Sequence, residues 1–251
     1  MLKTRIMPTL LYKNTTLVKG VGFDSWRRVG SAMQAVKVYN MREVDELVFL
    51  DIAATREGRS PDFDLIDDLA DECFMPLAVG GGVRSLDDVR RLLQVGADKI
   101  VVNTAVVNHP DLIWEIANRF GSQCVVVSID ARKDGHAEYE AYIESGTQPT
   151  GLGPVSLAQR AESLGAGEIL ITSVDRDGTM QGYDIDLISQ VTKAVSIPVI
   201  ASGGAGSYAH MAEALRAGAS ALAAASMFHF TEQTPREAKL YLREHGFPTR
   251  I

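Results

Sequence analysis

The chain has 251 residues, a formal net charge of −7 and an apolar share of 46%. The length suits two average domains or one α/β barrel, and the apolar share is ordinary for a globular core. The negative charge argues against nonspecific nucleic-acid binding. No signal-peptide pattern and no apolar run of membrane-spanning length occurs, so we expect a cytoplasmic protein that does not bind membranes.

Short apolar runs alternate with helical patterns along the chain. The predicted strands are Arg5–Leu11, Glu46–Ile52, Leu77–Gly80, Lys99–Asn103, Cys124–Asp130, Glu168–Ser173, Pro198–Ser202 and Ala221–Ala225. Ser85 followed by acids predicts a capped helix start, and Gly96 marks the end of that helix. Eight strands alternating with helices predict a (β/α)8 barrel, with residues 1–251 as one domain. An open doubly wound sheet is the competing α/β fold.

An internal repeat supports the closed barrel. Moved along by 122 residues, Glu46–Ala105 lies over Glu168–Met227 without a gap, and Gly81-Gly82 meets Gly203-Gly204. The predicted helices Asp64–Glu72 and Asp186–Lys193 also occupy matching places. Internal repetition is a signal of architecture, and here it predicts two similar half-barrels.

Strand alternation predicts which side chains point into the barrel, because every second side chain lies on the same face. The predicted inward sets are Arg5, Met7, Thr9 and Leu11; Glu46, Val48 and Leu50; Lys99, Val101 and Asn103; Cys124, Val126, Ser128 and Asp130; Glu168, Leu170 and Thr172; and Ala221, Ala223 and Ala225. The two cysteines, Cys73 and Cys124, have neither pairing nor metal-ligand spacing, which predicts buried reduced thiols and no metal site.

Two glycine turns follow strands at the end of the barrel where active sites lie. Gly81-Gly82 is joined there by Thr104, and Gly203-Gly204 by Ser226. Glycines let backbone N–H groups approach an anion, and a helix N-terminus adds its dipole. Two equivalent cradles predict a long ligand with a phosphate at each end. The alternative is that these glycines serve only as tight turns.

Several long motifs carry a family resemblance. They are VDELVFLDI (Val44–Ile52), GADKIVVNTA (Gly96–Ala105), VVVSIDA (Val125–Ala131) and GEILITSVDRDGTMQGYD (Gly167–Asp184). With these motifs the chain resembles the cyclase subunit of imidazole glycerol phosphate synthase. The resemblance implies a (β/α)8 barrel paired with a glutaminase subunit, through which ammonia reaches a ribulosyl substrate carrying two phosphates. It implies no metal and no redox cofactor.

The resemblance also implies roles for particular residues. One phosphate falls to Gly82, Asn103 and Thr104, and the other to Asp177, Gly178, Gly204 and Ser226. Thr172 would face the substrate, and Lys19 matches a lysine on the first, mobile βα loop. Asp130 matches one of two carboxylates that the family uses for general acid/base catalysis.

The second family carboxylate is missing, because Leu11 stands where the family has an aspartate. The first loop departs further, at Asn14-Thr15-Thr16 and at Gly30-Ser31-Ala32. Ring closure moves protons at two places, so the loss of one carboxylate speaks against cyclase activity. These departures resemble a paralogous branch that works beside a glutaminase and a third enzyme, which amidates a sugar for surface polysaccharide.

Three functions therefore remain open. The first is a working cyclase that uses Asp130 despite Leu11. The second is a conduit without chemistry of its own, which activates a glutaminase and passes ammonia to the sugar-amidating enzyme. The third is an isomerase of the sister barrel family, which also relies on a carboxylate at the end of the first strand.

Charged residues begin four of the predicted strands with inward parity. Arg5, Glu46, Lys99 and Glu168 would neutralise one another in a ring, which lowers the desolvation cost of each charge. These positions match the family's charged gate for ammonia, and Asp98 matches a residue on the surface that faces the glutaminase. The alternative is that the four are solvated charges at the barrel rim.

Overall fold

The computed structural model describes residues 3–133 and 138–250. The strands formed by these residues are β1 (Arg5–Lys13), β2 (Thr16–Val21), β3 (Asp24–Gly30), β4 (Leu47–Asp51), β5 (Leu77–Gly80), β6 (Lys99–Val102), β7 (Val125–Lys133), β8 (Tyr139–Ile143), β9 (Gln148–Pro149), β10 (Glu168–Ser173), β11 (Val199–Ser202) and β12 (Ala221–Ala224). The helices are α1 (Ala32–Met41), α2 (Phe63–Asp71), α3 (Leu86–Gln94), α4 (Thr104–Asn108), α5 (Asp111–Phe120), α6 (Pro154–Ser163), α7 (Ile185–Ala194), α8 (Tyr208–Arg216), α9 (Ser226–Phe230) and α10 (Pro235–Glu244).

Eight of the strands close into a parallel barrel. Neighbouring strands pair in the order β1, β4, β5, β6, β7, β10, β11 and β12. The last strand, β12, returns to β1, with Arg5 opposite Ala221. Helices lie between successive strands, so the prediction of a (β/α)8 barrel is confirmed. The closed strand order excludes the open doubly wound sheet.

The internal repeat is visible in the element boundaries. Helix α3 begins at Leu86 and α8 begins 122 residues later, at Tyr208. The same displacement carries β5 onto β11, β6 onto β12 and α4 onto α9 without a change of length. The two halves therefore share their backbone plan even where their side chains differ.

Side-chain alternation divides the core into two parts. The interior layer of the barrel is formed by Met7, Val48, Ala78, Val101, Val126, Leu170, Ile200, Ala221 and Ala223. Alternate residues such as Ile6, Phe49 and Val127 face outward into a larger core between the strands and the helices. The predicted inward parity is confirmed for seven members of this layer, since period-two alternation is forced by strand geometry; they are Met7, Val48, Val101, Val126, Leu170, Ala221 and Ala223.

Two antiparallel hairpins above the barrel were missed by the sequence analysis. Strand β1 continues to Lys13 and pairs with β2, which pairs with β3. Strand β7 runs on to Lys133 and pairs with β8. The first βα loop is therefore a folded hairpin, with a turn in which Asn14 and Thr15 adopt positive φ.

Smaller corrections concern strand ends and cysteines. Strand β4 begins at Leu47 rather than Glu46, and β7 begins at Val125, because Cys124 closes a 3-10 turn instead. Cys73 and Cys124 are half-buried, so the prediction of fully buried thiols was wrong. The predicted cap of α3 is confirmed as a reciprocal pair between Ser85 and Asp88.

Among the described residues, no helix combines the length and apolar character needed to cross a bilayer.

Candidate active site

A pocket of about 1150 Å³, part of it open to solvent, lies at the carboxyl ends of the barrel strands. We call it the upper pocket. Every residue to which the sequence analysis assigned substrate, phosphate or acid/base work lines it. These residues are Lys19, Gly82, Asn103, Thr104, Asp130, Thr172, Asp177, Gly178, Gly204 and Ser226, and Leu11, which replaces the second family carboxylate, lines the pocket as well. Residues separated by more than 200 positions in the chain thus meet in one cavity.

Asp130 is the buried acid of the upper pocket. It lies on β7, next to Thr172 of β10 in the strand register, and its Oδ2 accepts a 3.3 Å hydrogen bond from Asn103 Nδ2. Burial, which is the main cause, and the charge of Asp177 together raise the pKa of the Asp130 carboxyl to about 7 against the opposing effect of Arg132. A carboxyl with a pKa near neutrality can both give and take a proton at physiological pH.

Leu11 lies across the barrel from Asp130. Strand β1 is four strands away from β7 in the closed order, and Leu11 is 8% exposed at the wall of the upper pocket. Its neighbour in the register is Leu50 of β4, which also lines the pocket. Leu11 and Leu50 therefore form an apolar part of the wall across the barrel from Asp130.

Two further carboxylates line the upper pocket, and both are neutralised by cations. Asp51 accepts hydrogen bonds from two backbone N–H groups and lies 3.1 Å from Arg59 Nη1. Asp177 forms an ion pair with the ammonium group of Lys19. Among the described residues, Asp130 is thus the only pocket carboxylate without an ion-pair partner within 4 Å.

Lys19 closes the first hairpin over the barrel. It is 3% exposed on β2, and the Lys19–Asp177 pair joins the hairpin to the loop after β10. The Gly22 N–H also donates to the Asp177 carbonyl at 2.8 Å. An added Cβ at Gly178 would lie 2.1 Å from the Gly20 carbonyl oxygen, so only glycine allows this close backbone approach.

The first glycine turn already has protein partners. The Gly82 N–H donates to Thr55 Oγ1 at 3.2 Å, and Thr104 Oγ1 accepts from the Glu144 N–H at 3.1 Å. Asn103 Nδ2 also donates to the Ser128 carbonyl at 3.0 Å. An incoming anion must replace some of these contacts to use the same donors.

The second glycine turn is more open. Gly204 adopts φ +104°, and an added Cβ would lie 2.1 Å from the Gly182 carbonyl oxygen. In the described part of the chain its N–H donates to no protein acceptor, in contrast to that of Gly82. Ser226 begins α9 beside it and is buried at the pocket wall. The two turns share a backbone geometry but differ in the donors that they leave free.

A ring of four charges lies at the opposite end of the barrel. Arg5 Nη1 is 2.7 Å from Glu46 Oε2 and 3.0 Å from Glu168 Oε1. Lys99 Nζ is 2.9 Å and 3.1 Å from the same two oxygens. We call these four residues the charged ring. Each cation contacts both carboxylates, so the alternative of separate solvated rim charges was wrong.

Asp98 lies beside the charged ring on the lower face. Its Oδ2 accepts a 2.8 Å hydrogen bond from the Leu77 N–H, and its own N–H donates to the Leu77 carbonyl. The side chain is exposed but held in place by the start of β5. This anchoring gives the carboxylate a fixed direction.

Several pocket residues were not assigned a site role from the sequence. The first hairpin contributes Phe23 and Trp26, and the loops after β4 and β8 contribute Thr55 and Ser145. Their positions depend on hairpins that the sequence analysis did not predict. Thr9 also lines the pocket, and its inward parity on the first strand was a usable signal.

The fold and the site together define a (β/α)8-barrel protein whose pocket, at the carboxyl ends of the strands, has the location typical of barrel enzymes. The model of the histidine biosynthesis protein family matches residues 5–234. The chain is also 48% identical over 250 residues to imidazole glycerol phosphate synthase subunit HisF of Gluconacetobacter diazotrophicus, covering 100% of this chain and 97% of that relative. The chain therefore belongs to the histidine biosynthesis protein family and, within it, to the HisF family. The resemblance to the cyclase subunit is confirmed at this level.

Proposed function

We propose that this chain is the ammonia-receiving barrel of a glutaminase complex. Ammonia enters through the charged ring and reaches a phosphorylated ligand in the upper pocket. The observation that carries the proposal is the stacking of three zones inside one barrel: the charged ring, the uncharged interior layer and the upper pocket. The relative's name, which calls it a synthase subunit, supports a function within an assembly.

The charged ring is the entry gate in this proposal. Because two cations pair with two carboxylates, the charges of the ring cancel, and its ion pairs form without a partner protein. Above it, the described side chains that form the interior layer are apolar. An ion pays a large desolvation cost in such surroundings, whereas a small neutral molecule does not. The barrel interior therefore admits neutral ammonia and excludes the ammonium ion.

The glutaminase docks on the lower face, around the charged ring. Asp98 supplies a fixed carboxylate there, and Phe74, which follows α2, is 85% exposed. Exposed aromatic side chains next to anchored charges suit a protein interface better than a solvated surface. Docking at this face connects the ammonia source directly to the gate.

The ligand in the upper pocket carries phosphate at both ends. Gly82, Asn103 and Thr104 bind one phosphate, and Gly178, Gly204 and Ser226 bind the other, with Thr172 facing the centre. Asp177 can lie close to an anion because Lys19 neutralises its charge. The open N–H of Gly204 favours this second site as the tighter one.

The delivered ammonia could be used in this barrel for ring closure or passed on to a third enzyme, and Leu11 is the residue that distinguishes these two functions. A histidine-pathway cyclase would use Asp130 and a second acid/base group at position 11 on the opposite wall; this chain has Leu11 there, and Asp51 of the neighbouring strand is already paired with Arg59. A conduit needs no second group, and it passes ammonia to a third, sugar-amidating enzyme of surface-polysaccharide synthesis. The apolar wall favours the conduit, since a leucine side chain cannot relay a proton.

Ring closure by the purified barrel tests this choice. The assay supplies the two-phosphate ribulosyl substrate and saturating ammonium at alkaline pH. Loss of one positioned acid/base group lowers a rate by about 10²–10⁴-fold, so we expect very slow turnover. A turnover of about 1 s⁻¹ or more lies in the ordinary range of enzymes and would show a working cyclase.

Two variants sharpen the assay. Leu11→Asp restores a carboxylate opposite Asp130, and we expect it to raise the rate of ring closure. Leu50→Asp is the matched control, because it adds the same charge to the neighbouring strand at the same height. Equal rates in the two variants would mean that position 11 has no special role.

A further inference from the structure

Thr9 carries a buried hydroxyl that no protein group satisfies. The residue is 8% exposed and lines the upper pocket, and its Oγ1 has no hydrogen-bond partner among the described residues. A buried hydroxyl without a partner is destabilising, and valine would fill nearly the same volume without that cost. The hydroxyl therefore needs a partner other than the residues that the structure describes.

Thr9 lies at the floor of the upper pocket, where the pocket meets the interior layer. Other inward residues that line the pocket are Leu50, Val101, Ser128, Leu170 and Ala223, of which Val101, Leu170 and Ala223 also belong to the interior layer. Only Thr9 and Ser128 of this set carry a hydroxyl, and they belong to the opposed strands β1 and β7. Below them Met7, Val48, Val126 and the remaining members of the interior layer are apolar.

We infer that Thr9 Oγ1 is the first group to bind ammonia as it leaves the interior layer. The inference rests on the proposed function, which supplies the ammonia. The hydroxyl can donate to the nitrogen lone pair and accept from an N–H group. Asp130 lies two residues above Ser128 on the same face of β7, the strand opposed to that of Thr9, so the bound molecule enters the pocket that contains the acid. Thr9 is thus a positioning residue for the incoming nitrogen.

Crystals soaked in methylamine at alkaline pH test this directly. Methylamine has two heavy atoms, which distinguishes it from a water molecule in electron density. We expect its nitrogen at about 3 Å from Thr9 Oγ1 in the wild type and in Thr9→Ser, and no bound amine in Thr9→Val. A single water-sized peak on Oγ1, or a hydroxyl turned to a backbone carbonyl, would overturn the inference.

Thermal unfolding provides the solution measurement. At alkaline pH, replacing sodium chloride by ammonium chloride should raise the Tm of the wild type and of Thr9→Ser but not that of Thr9→Val. At acidic pH, where ammonia is protonated, the increase should vanish in all three proteins. An equal increase in Thr9→Val, or none in the wild type, would refute ammonia binding at Thr9 and mark any crystal density as binding at crystal concentration only. The charged-ring gate does not depend on this outcome, since nitrogen transfer in ring variants tests it separately.

Discussion

Replacing the buried acid Asp130 with asparagine should make the protein more stable at neutral and alkaline pH. The substitution keeps the size of the side chain and an oxygen that can accept from Asn103 Nδ2. It removes a carboxyl whose pKa is raised from 3.8 to about 7, mainly by burial. Because the wild-type protein must bury this charge above pH 7, the neutral variant avoids a cost that the wild type carries.

The size and sign of this stability difference between Asp130→Asn and the wild type follow from proton linkage. Between about pH 4 and pH 7 the unfolded chain has lost the Asp130 proton while the folded protein still binds it. The folded state binds more protons, so wild-type stability falls as pH rises, by about 1.4 kcal/mol per pH unit. The advantage of Asp130→Asn should therefore grow from near zero at about pH 4 to about 4 kcal/mol at pH 8.

Denaturant unfolding of both proteins at several pH values measures this difference. Asp51→Asn is the matched control, because it removes a second pocket carboxylate that is paired with Arg59. We expect it to destabilise the protein at neutral pH, opposite in sign to Asp130→Asn, since it breaks an existing ion pair. A difference between Asp130→Asn and wild type that stays constant from pH 4 to pH 8 would refute the raised pKa of Asp130.

The remaining predictions concern the anion sites, the charged ring and the hairpin. Crystals grown in sulfate should hold an anion at Gly204 before one appears at Gly82, whose N–H is already bonded; density at Gly82 alone would contradict this order. Lys99→Ala should release ammonia to solvent during glutamine hydrolysis by the complex, and unchanged transfer of glutamine nitrogen to product would remove the ring from the pathway. Lys19→Met should cost about 3–5 kcal/mol of stability and expose the hairpin to proteases, because Asp177 stays buried without its partner. Lys13→Met, a charge loss elsewhere in the hairpin, should do neither.

The parts of the structure that follow from local periodicity were predictable from the sequence. Strand direction placed Arg5 and Lys99 at one end of the barrel and Leu11 and Asp130 at the other. Strand alternation pointed these side chains inward, because a one-residue error would reverse every face. The glycine turns were equally predictable from the sequence, since positive φ values leave little choice of residue at these positions.

The contacts between loops could not be predicted in this way. The family resemblance assigned Asp177 to a phosphate, but it did not reveal the ion pair with Lys19, which is 158 residues away. That pair depends on the antiparallel pairing of β1 and β2, whose turn at Asn14-Thr15 was read only as a departure from a family pattern. Long-range hydrogen bonds, such as the one that the Gly82 N–H donates to Thr55 Oγ1, likewise form only when the barrel closes.

The hairpin has a consequence for the direction in which a ligand can lie. Displacement by 122 residues carries Thr55 onto Asp177, so these two residues stand in equivalent positions beside the two glycine turns. Thr55 accepts from the Gly82 N–H, whereas Asp177 is engaged by Lys19 and the Gly204 N–H stays free. If the upper pocket had true twofold symmetry, a ligand with a phosphate at each end could bind in either of two opposite orientations. Lys19 of the first hairpin makes the two ends of the pocket unequal, so a ligand with a phosphate at each end binds in one defined orientation.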